Sequence, residues 1–225
     1  CHSSAFISND LTLGCITLCA IVGPITSDCS LTTDVMYRLS GLVDVGVDMG
    51  GDGTKSGGVA ATLTIPAGVT LAQKTPDDYI VVQRGSKIVA NGTRSKPIRF
   101  TAASAIDGSL TNPDSASGLW GGIVILGKAP INRCSNDVRG TAACERVVEG
   151  STNAIMGGAS PDDNSGVLNF VRVEYAGKEI FPGNELNGIT FGGVGYGTKV
   201  DYVQVHNNQD DCVEFFGGTV NVKHL

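Results

Sequence analysis

Three carboxylates crowd one short stretch of the sequence, Asn208-Gln-Asp-Asp-Cys-Val-Glu214. Asp210, Asp211 and Glu214 are titratable acids and hard oxygen donors. Side chains of this kind beside a turn cap backbone N–H groups or gather a hard cation such as calcium. Turn capping is the expected role of the Asp pair, and Asp210, Asp211 and Glu214 form the candidate calcium set. A second acidic group, Asp44, Asp48 and Asp52, leads into a Gly-rich stretch. It fits no calcium-loop spacing and lacks the closing Glu of an EF-hand, so it reads as a solvated turn. His2, His206 and His224 are too scattered to suggest a zinc site. The run Gly192-Gly-Val-Gly-Tyr-Gly197 has no helix behind it to supply a dipole for a phosphate loop.

The other reactive groups are seven cysteines. No C-x-x-C occurs, which removes zinc-ribbon, thioredoxin-type and c-haem readings. Disulfides formed in an oxidising compartment are the expectation, placing the protein outside the cell or on a bacterial surface. Cys134 and Cys144, ten residues apart among polar residues, are expected to close a small loop. Cys1, Cys15, Cys19 and Cys29 fall within residues 1–35, expected as a disulfide-stapled cap in which Cys15, Cys19 and Cys29 are paired. The sequence begins at Cys1 without a methionine and reads as a processed product. Cys1 either pairs or stands where a bacterial lipoprotein carries its lipid-modified first residue, which would provide a lipid anchor.

The elements that must carry these residues are short strands. The 225 residues include 31 glycines, with 17% charged and 6% aromatic. Four- to six-residue alternating runs recur and no long window shows helical spacing. Phe170-Val-Arg-Val173 is echoed by Tyr202-Val-Gln-Val205, and Phe191-Gly-Gly-Val194 by Phe216-Gly-Gly-Thr219, at offsets of 32 and 25 residues. Such repeats mean stacked units that bury a core only against their neighbours. Strand-sized units without helices between them point to an all-β fold, a parallel β-helix; a β-sandwich shares the composition. Leu63, Val81 and Ile98 suggest a rung of 17 to 18 residues. The expected organisation is a cap over 1–35 and a solenoid over 36–225, with a loop insertion at 128–165. The apolar run Gly118–Gly127 reads as a strand buried on both faces, and Trp120 within it as core. Asn91-Gly-Thr93 is a formal glycosylation sequon and also a turn pair, and is read as the turn.

A net charge of −6 and a pI near 5.0 argue against a nucleic-acid partner, although Lys87, Arg94, Lys96 and Arg99 can form a local basic patch. No apolar run approaches the ~18 residues of a membrane span.

Three segments carry a family resemblance: Gly118–Asn132 (GLWGGIVILGKAPIN), Asp163–Gly177 (DNSGVLNFVRVEYAG) and Asn187–Gly195 (NGITFGGVG). They resemble a family of secreted or surface-anchored bacterial proteins, which implies a right-handed parallel β-helix over roughly residues 36–225. Locally, Asn208-Gln-Asp-Asp-Cys-Val213 is similar to the paired-Asp segment of polygalacturonases. Glu185-Leu-Asn-Gly-Ile-Thr-Phe191 loosely matches their other catalytic segment, with Asn187 in place of an Asp. That resemblance implies an inverting glycosidase using Asp210, Asp211 and Glu214, with two carboxyl groups about 6.5 to 9.5 Å apart as acid and base. Asn187 is no carboxylate, and the Gly-His-Gly and Arg-x-Lys segments of that family are missing.

The function expected from the sequence is therefore a non-enzymatic extracellular protein acting by self-association, as in a fibre, or by adhesion. No catalytic residue and no cofactor is assigned beyond the candidate calcium. A polygalacturonase-type glycoside hydrolase and a polysaccharide-binding module are the alternatives.

Overall fold

The computed structural model describes residues 18–134, 138–151, 153–181 and 184–225, without the side chains of 180, 181 and 184. The chain winds through successive coils, each laying one strand on each of up to three faces. The first coil holds β1 (Leu18–Ile21) and β2 (Cys29–Ser30), with Ile25 bridging to Val45 between them. The second holds β3 (Met36–Leu39), β4 (Leu42–Val45) and β5 (Thr62–Ile65), and the third β6 (Thr70–Gln73), β7 (Tyr79–Val82) and β8 (Lys87–Asn91). The fourth holds β9 (Ile98–Ala102), the one-turn helix α1 (Ser104–Asp107) and β10 (Gly122–Leu126). The hairpin β11 (Arg146–Val147)–β12 (Ile155–Met156) follows, and the coil ends with the first half of β13 (Gly166–Glu174). The fifth runs through the second half of β13, β14 (Glu179–Phe181), β15 (Asn184–Glu185), β16 (Ile189–Gly192) and the first half of β17 (Lys199–His206). The sixth takes the rest of β17, β18 (Val213–Phe216) and β19 (Asn221–Lys223). All ladders between coils are parallel, so the fold is the expected parallel β-helix.

Alternation drives the stacking. On the face formed by β4, β7, β10, β16 and β18, two inward ladders run through successive coils. One is Val43–Ile80–Ile123–Ile189–Val213 and the other Val45–Val82–Ile125–Phe191–Phe215. Each fully buried side chain contributes about 1.5–3 kcal/mol relative to exposure. The outward ladder between them reads Asp44–Val81–Val124–Thr190–Glu214. The other two faces join into one sheet because β13 and β17 each run across a corner. A single residue with positive φ makes that corner, Phe170 (φ 47°) and Tyr202 (φ 51°). His224 (φ 47°) occupies the same place one coil on, following the pairing of Asp201 with Lys223.

The register corrects three sequence readings. The Phe170 and Tyr202 segments do stack, Val171 on Val203, at the offset of 32. The second echo slips by one, because Phe191 pairs with Phe215 rather than Phe216. Leu63, Val81 and Ile98 lie on three different faces, in β5, β7 and β9, so their spacing of 17 to 18 spans two steps between faces and falls short of a full coil. Residues 18–35 are not a separate cap in the sheets: β1 pairs with β3 and β2 with β5 as ordinary rungs.

The described residues of 128–165 lie outside the parallel ladders. They lie over the outward face of β7 and β10, where Ile131, Cys144, Val148, Ala154 and Met156 cover Val81, Val124 and Leu126. This second core explains why every residue of β10 is buried. Cys134 and Cys144 form a disulfide with Cα atoms 4.9 Å apart. Arg84 fastens the insertion from below. It is 1% exposed and gives Nε and Nη2 to the two oxygens of Asp48 at 2.7 and 2.9 Å. Its Nη1 donates to the Gly157 carbonyl at 2.8 Å and meets Glu145 at 2.7 Å. Asp48 is thus a buried anchor and not part of a solvated turn. Burial opposes its charge, but hydrogen bonds from Arg84 and Lys55 prevail and hold its pKa at about 2. Asp44 accepts from Gln83 and Asp52 caps the Thr54 N–H.

Cys29 is disulfide-bonded, while Cys19 and Cys212 are free thiols. The expected pairing of Cys19 is corrected: it lies in β1, half-buried against the core, committed to the stack. Cys1 and Cys15 lie outside the described residues. Trp120 is fully buried, donating Nε1–H to the Glu174 carbonyl at 2.8 Å beside Phe100. Asn91 is exposed and accepts a bond from Asn169 Nδ2 at 3.0 Å. Among the described residues no helix is long and apolar enough to cross a membrane.

Candidate functional site

The candidate carboxylates gather where the outward ladder of β10, β16 and β18 emerges from under the insertion. Strand β18 aims Glu214 outward because Val213 and Phe215 on either side take the inward positions. Its ladder neighbour Thr190 is 1% exposed and Asn187, just before β16, is 3% exposed. Asn187 Nδ2 donates to Glu214 Oε2 at 2.5 Å and to Thr190 Oγ1 at 3.3 Å. The side-chain amide oxygen of Asn187, Oδ1, is buried without a partner among the described residues. Asn187, which stands where the polygalacturonase segment carries an Asp, therefore meets one of the candidate acids through its amide.

Burial raises the pKa of Glu214, and the charges of Glu149, Asp211 and Asp210 push the same way against the hydrogen bond from Asn187. Glu149 is the member that sequence reasoning missed. It comes from the insertion, 65 residues from Glu214 in the chain. No local motif announces it; the insertion brings it there, with the neighbouring Val148 packed in the second core beside Gly192.

Asp210 and Asp211 are exposed in the loop before β18. The expected capping of backbone N–H groups by their carboxylates is not what holds this loop, which an amide ties through its carbonyls instead. Asn208 Nδ2 donates to the carbonyls of Asp210 and Asp211 at 3.1 and 2.8 Å. Among the described residues the two aspartates' own carboxylates make no hydrogen bond or ion pair. The Asp211 and Cys212 carbonyls accept from Gly188 and Ile189, so the loop's backbone continues the coil. Among the described residues no group of three or more His, Cys, Asp or Glu side chains converges in a way that could hold a metal ion, Asp210, Asp211 and Glu214 included. The chemistry available here is one protonatable acid, Glu214, held by an amide and facing loose, solvated carboxylates.

Residues 23–225 match the model of the pectate-lyase like beta helix domain family. The chain belongs to that family. No curated protein and no solved structure matches it.

Proposed function

We propose that this chain is a non-enzymatic extracellular surface protein, a rigid β-helix that works by adhesion. The observation that supports this most is the filled outward face. An active site needs a concavity that a substrate can enter, whereas Val81, Val124 and Leu126, at the centre of that face, are at most 1% exposed under the insertion. The disulfide and the Arg84 network lock the cover in place, and the disulfide suits an oxidising compartment. The test is retention of the purified chain on polysaccharide-coated and cell surfaces, with release of soluble fragments followed in parallel. Retention without fragments is the expected result, and no retention on any surface would refute it.

Self-association is a second reading, supported by Phe215. It stacks on Phe191 with ring centroids 5.3 Å apart, yet is 47% exposed where Phe191 is 1% exposed. An exposed apolar ring stacked on a buried one is a surface on which a second copy can pack. Sedimentation over a hundredfold dilution, with Phe215→Glu as control, decides it: a concentration-dependent oligomer lost in the variant supports it, and a monomer throughout removes it.

A further inference from the structure

The corner of the β-helix carries a feature that the adhesive reading has not used. Phe170, Tyr202 and His224 stack plane to plane in successive coils, with ring centroids 4.5 and 4.2 Å apart and planes within 2°. Phe170 and His224 cover both faces of the Tyr202 ring, yet Tyr202 is 44% exposed. What it presents to solvent is its ring edge and hydroxyl. Ring edges carry the positive end of the aromatic quadrupole.

A shallow groove of about 380 Å³ runs beside this ladder, lined by Arg94, Phe170, Arg172, Tyr202, Gln204 and His224. Arg172 is held in place: Nε donates to Gln204 Oε1 at 2.9 Å and Nη2 meets Glu174 at 3.0 Å. Glu174 is shared with Arg99, whose Nε donates to it at 2.6 Å. Asp201 is occupied by His224 at 2.7 Å and by the Tyr202 N–H. Arg94 is exposed and, among the described residues, has no hydrogen bond or ion pair. Two arginines therefore line the groove, no carboxylate does, and the neighbouring Glu174 and Asp201 are already bonded, in a chain whose net charge is −6. The groove is thus locally positive on an acidic molecule, and it runs beside a ring ladder that crosses successive coils.

We propose that this groove binds a linear anionic polysaccharide, its sulfate or carboxylate groups held by Arg94 and Arg172 against the ring edges of the ladder. A guanidinium matches either anion with two parallel N–H donors. The free amide hydrogens of Gln204 and the hydroxyl of Tyr202 suit sugar hydroxyls. An open, shallow groove takes an extended chain. The proposal rests on the adhesive reading and names its ligand. It concerns a corner remote in the coil from the Glu214 carboxylates, and it requires no cleavage.

The experiment is affinity electrophoresis and calorimetry of the full 225-residue chain with three probes. These are dextran sulfate, a polyuronate and neutral dextran, at about 0.15 M salt to screen loose surface charge. Binding to either charged polymer with none to dextran is expected, and the two charged arms tell sulfate from carboxylate. Arg94→Glu, checked for an unchanged circular dichroism spectrum, is expected to weaken binding at least tenfold. Equal binding to dextran, unchanged binding by Arg94→Glu, or an equal affinity for a single-stranded oligonucleotide would overturn the proposal. If Arg94→Glu still adheres to surfaces as the parent does, the groove assignment fails and the adhesive reading stands. If the parent adheres to nothing, the adhesive reading itself fails.

Discussion

Replacing Arg84 by Ala should unfasten the insertion from the coils. The guanidinium is almost wholly buried and bonds to Asp48 twice, to the Gly157 carbonyl and to Glu145. Removing one partner of a buried, hydrogen-bonded ion pair costs about 3–5 kcal/mol, because the other charge is left without compensation. Lys55 still reaches Asp48 at 2.9 Å, but it is half exposed, so the lower end, about 3 kcal/mol, is expected. The pH dependence supplies a second signature. The Asp48 pKa of about 2 lies below its ordinary 3.8, so the carboxylate stabilises the fold above pH 4. That contribution is lost as pH falls through 2, and at about 1.4 kcal/mol per unit it amounts to roughly 2 kcal/mol. Asp44, Asp163 and Glu214, whose pKa values burial raises, run the other way and lose stability as pH rises. The comparison must therefore be parent minus variant. Urea unfolding followed by circular dichroism at pH 7 and near pH 2 measures both terms. Arg84→Ala should cost about 3 kcal/mol at pH 7 and less at the acid end, and limited proteolysis should open residues 128–165 first. Arg84→Met combined with Asp48→Leu, which removes both charges, should recover most of the loss. A cost below about 1 kcal/mol at pH 7, or a double variant no better than the single, would refute the clamp.

Other outcomes follow from particular contacts. Cys134→Ser with Cys144→Ser removes a ten-residue loop closure, costs about 2–3 kcal/mol and raises protease sensitivity at 128–165 ahead of the strands; unchanged digestion would contradict it. Gly166→Ala should cost about 3 kcal/mol or more, since φ is +116° and a Cβ would run into the Ile88 carbonyl, as thermal unfolding will report. Glu214→Gln removes a charge that burial and three acidic neighbours oppose, so the variant should gain stability over the parent as pH rises from 4 to 7; a loss at pH 7 would show the carboxylate to be structurally required. Cys212, exposed, should react with a thiol reagent in the native state well before half-buried Cys19.

The fold was legible because its cause is local. Alternation in segments such as Ile98–Ala102 and Val171–Glu174 says strand, and the absence of helical spacing leaves stacking as the way to bury one face. Register was less legible. Coils differ in length through their inserts, so Leu63, Val81 and Ile98, each two faces on from the last, mimic a period shorter than a coil, and one slipped residue moves Phe215 into the place suggested for Phe216. The candidate site was half legible. Asn187 and Glu214 could be suspected from local resemblance, but their contact depends on β16 and β18 being neighbours. Glu149 and the Arg84 network depend on how an irregular insertion folds back, which no periodicity encodes. The stacked corner was hidden in plain sight. Phe170 and Tyr202 opened both copies of the repeat, but only the positive-φ turn shows that their rings leave the core and stack outside it.

The adhesive account is tested most directly by incubating the chain with immobilised sulfated and carboxylated polysaccharides and assaying both retained protein and released saccharide. Retention with no new reducing or unsaturated ends, unaffected by Glu214→Gln and weakened by Arg94→Glu, is the expected result. Release of oligosaccharides that disappears with Glu214→Gln would contradict it and make the carboxylate cluster of β18 an active site.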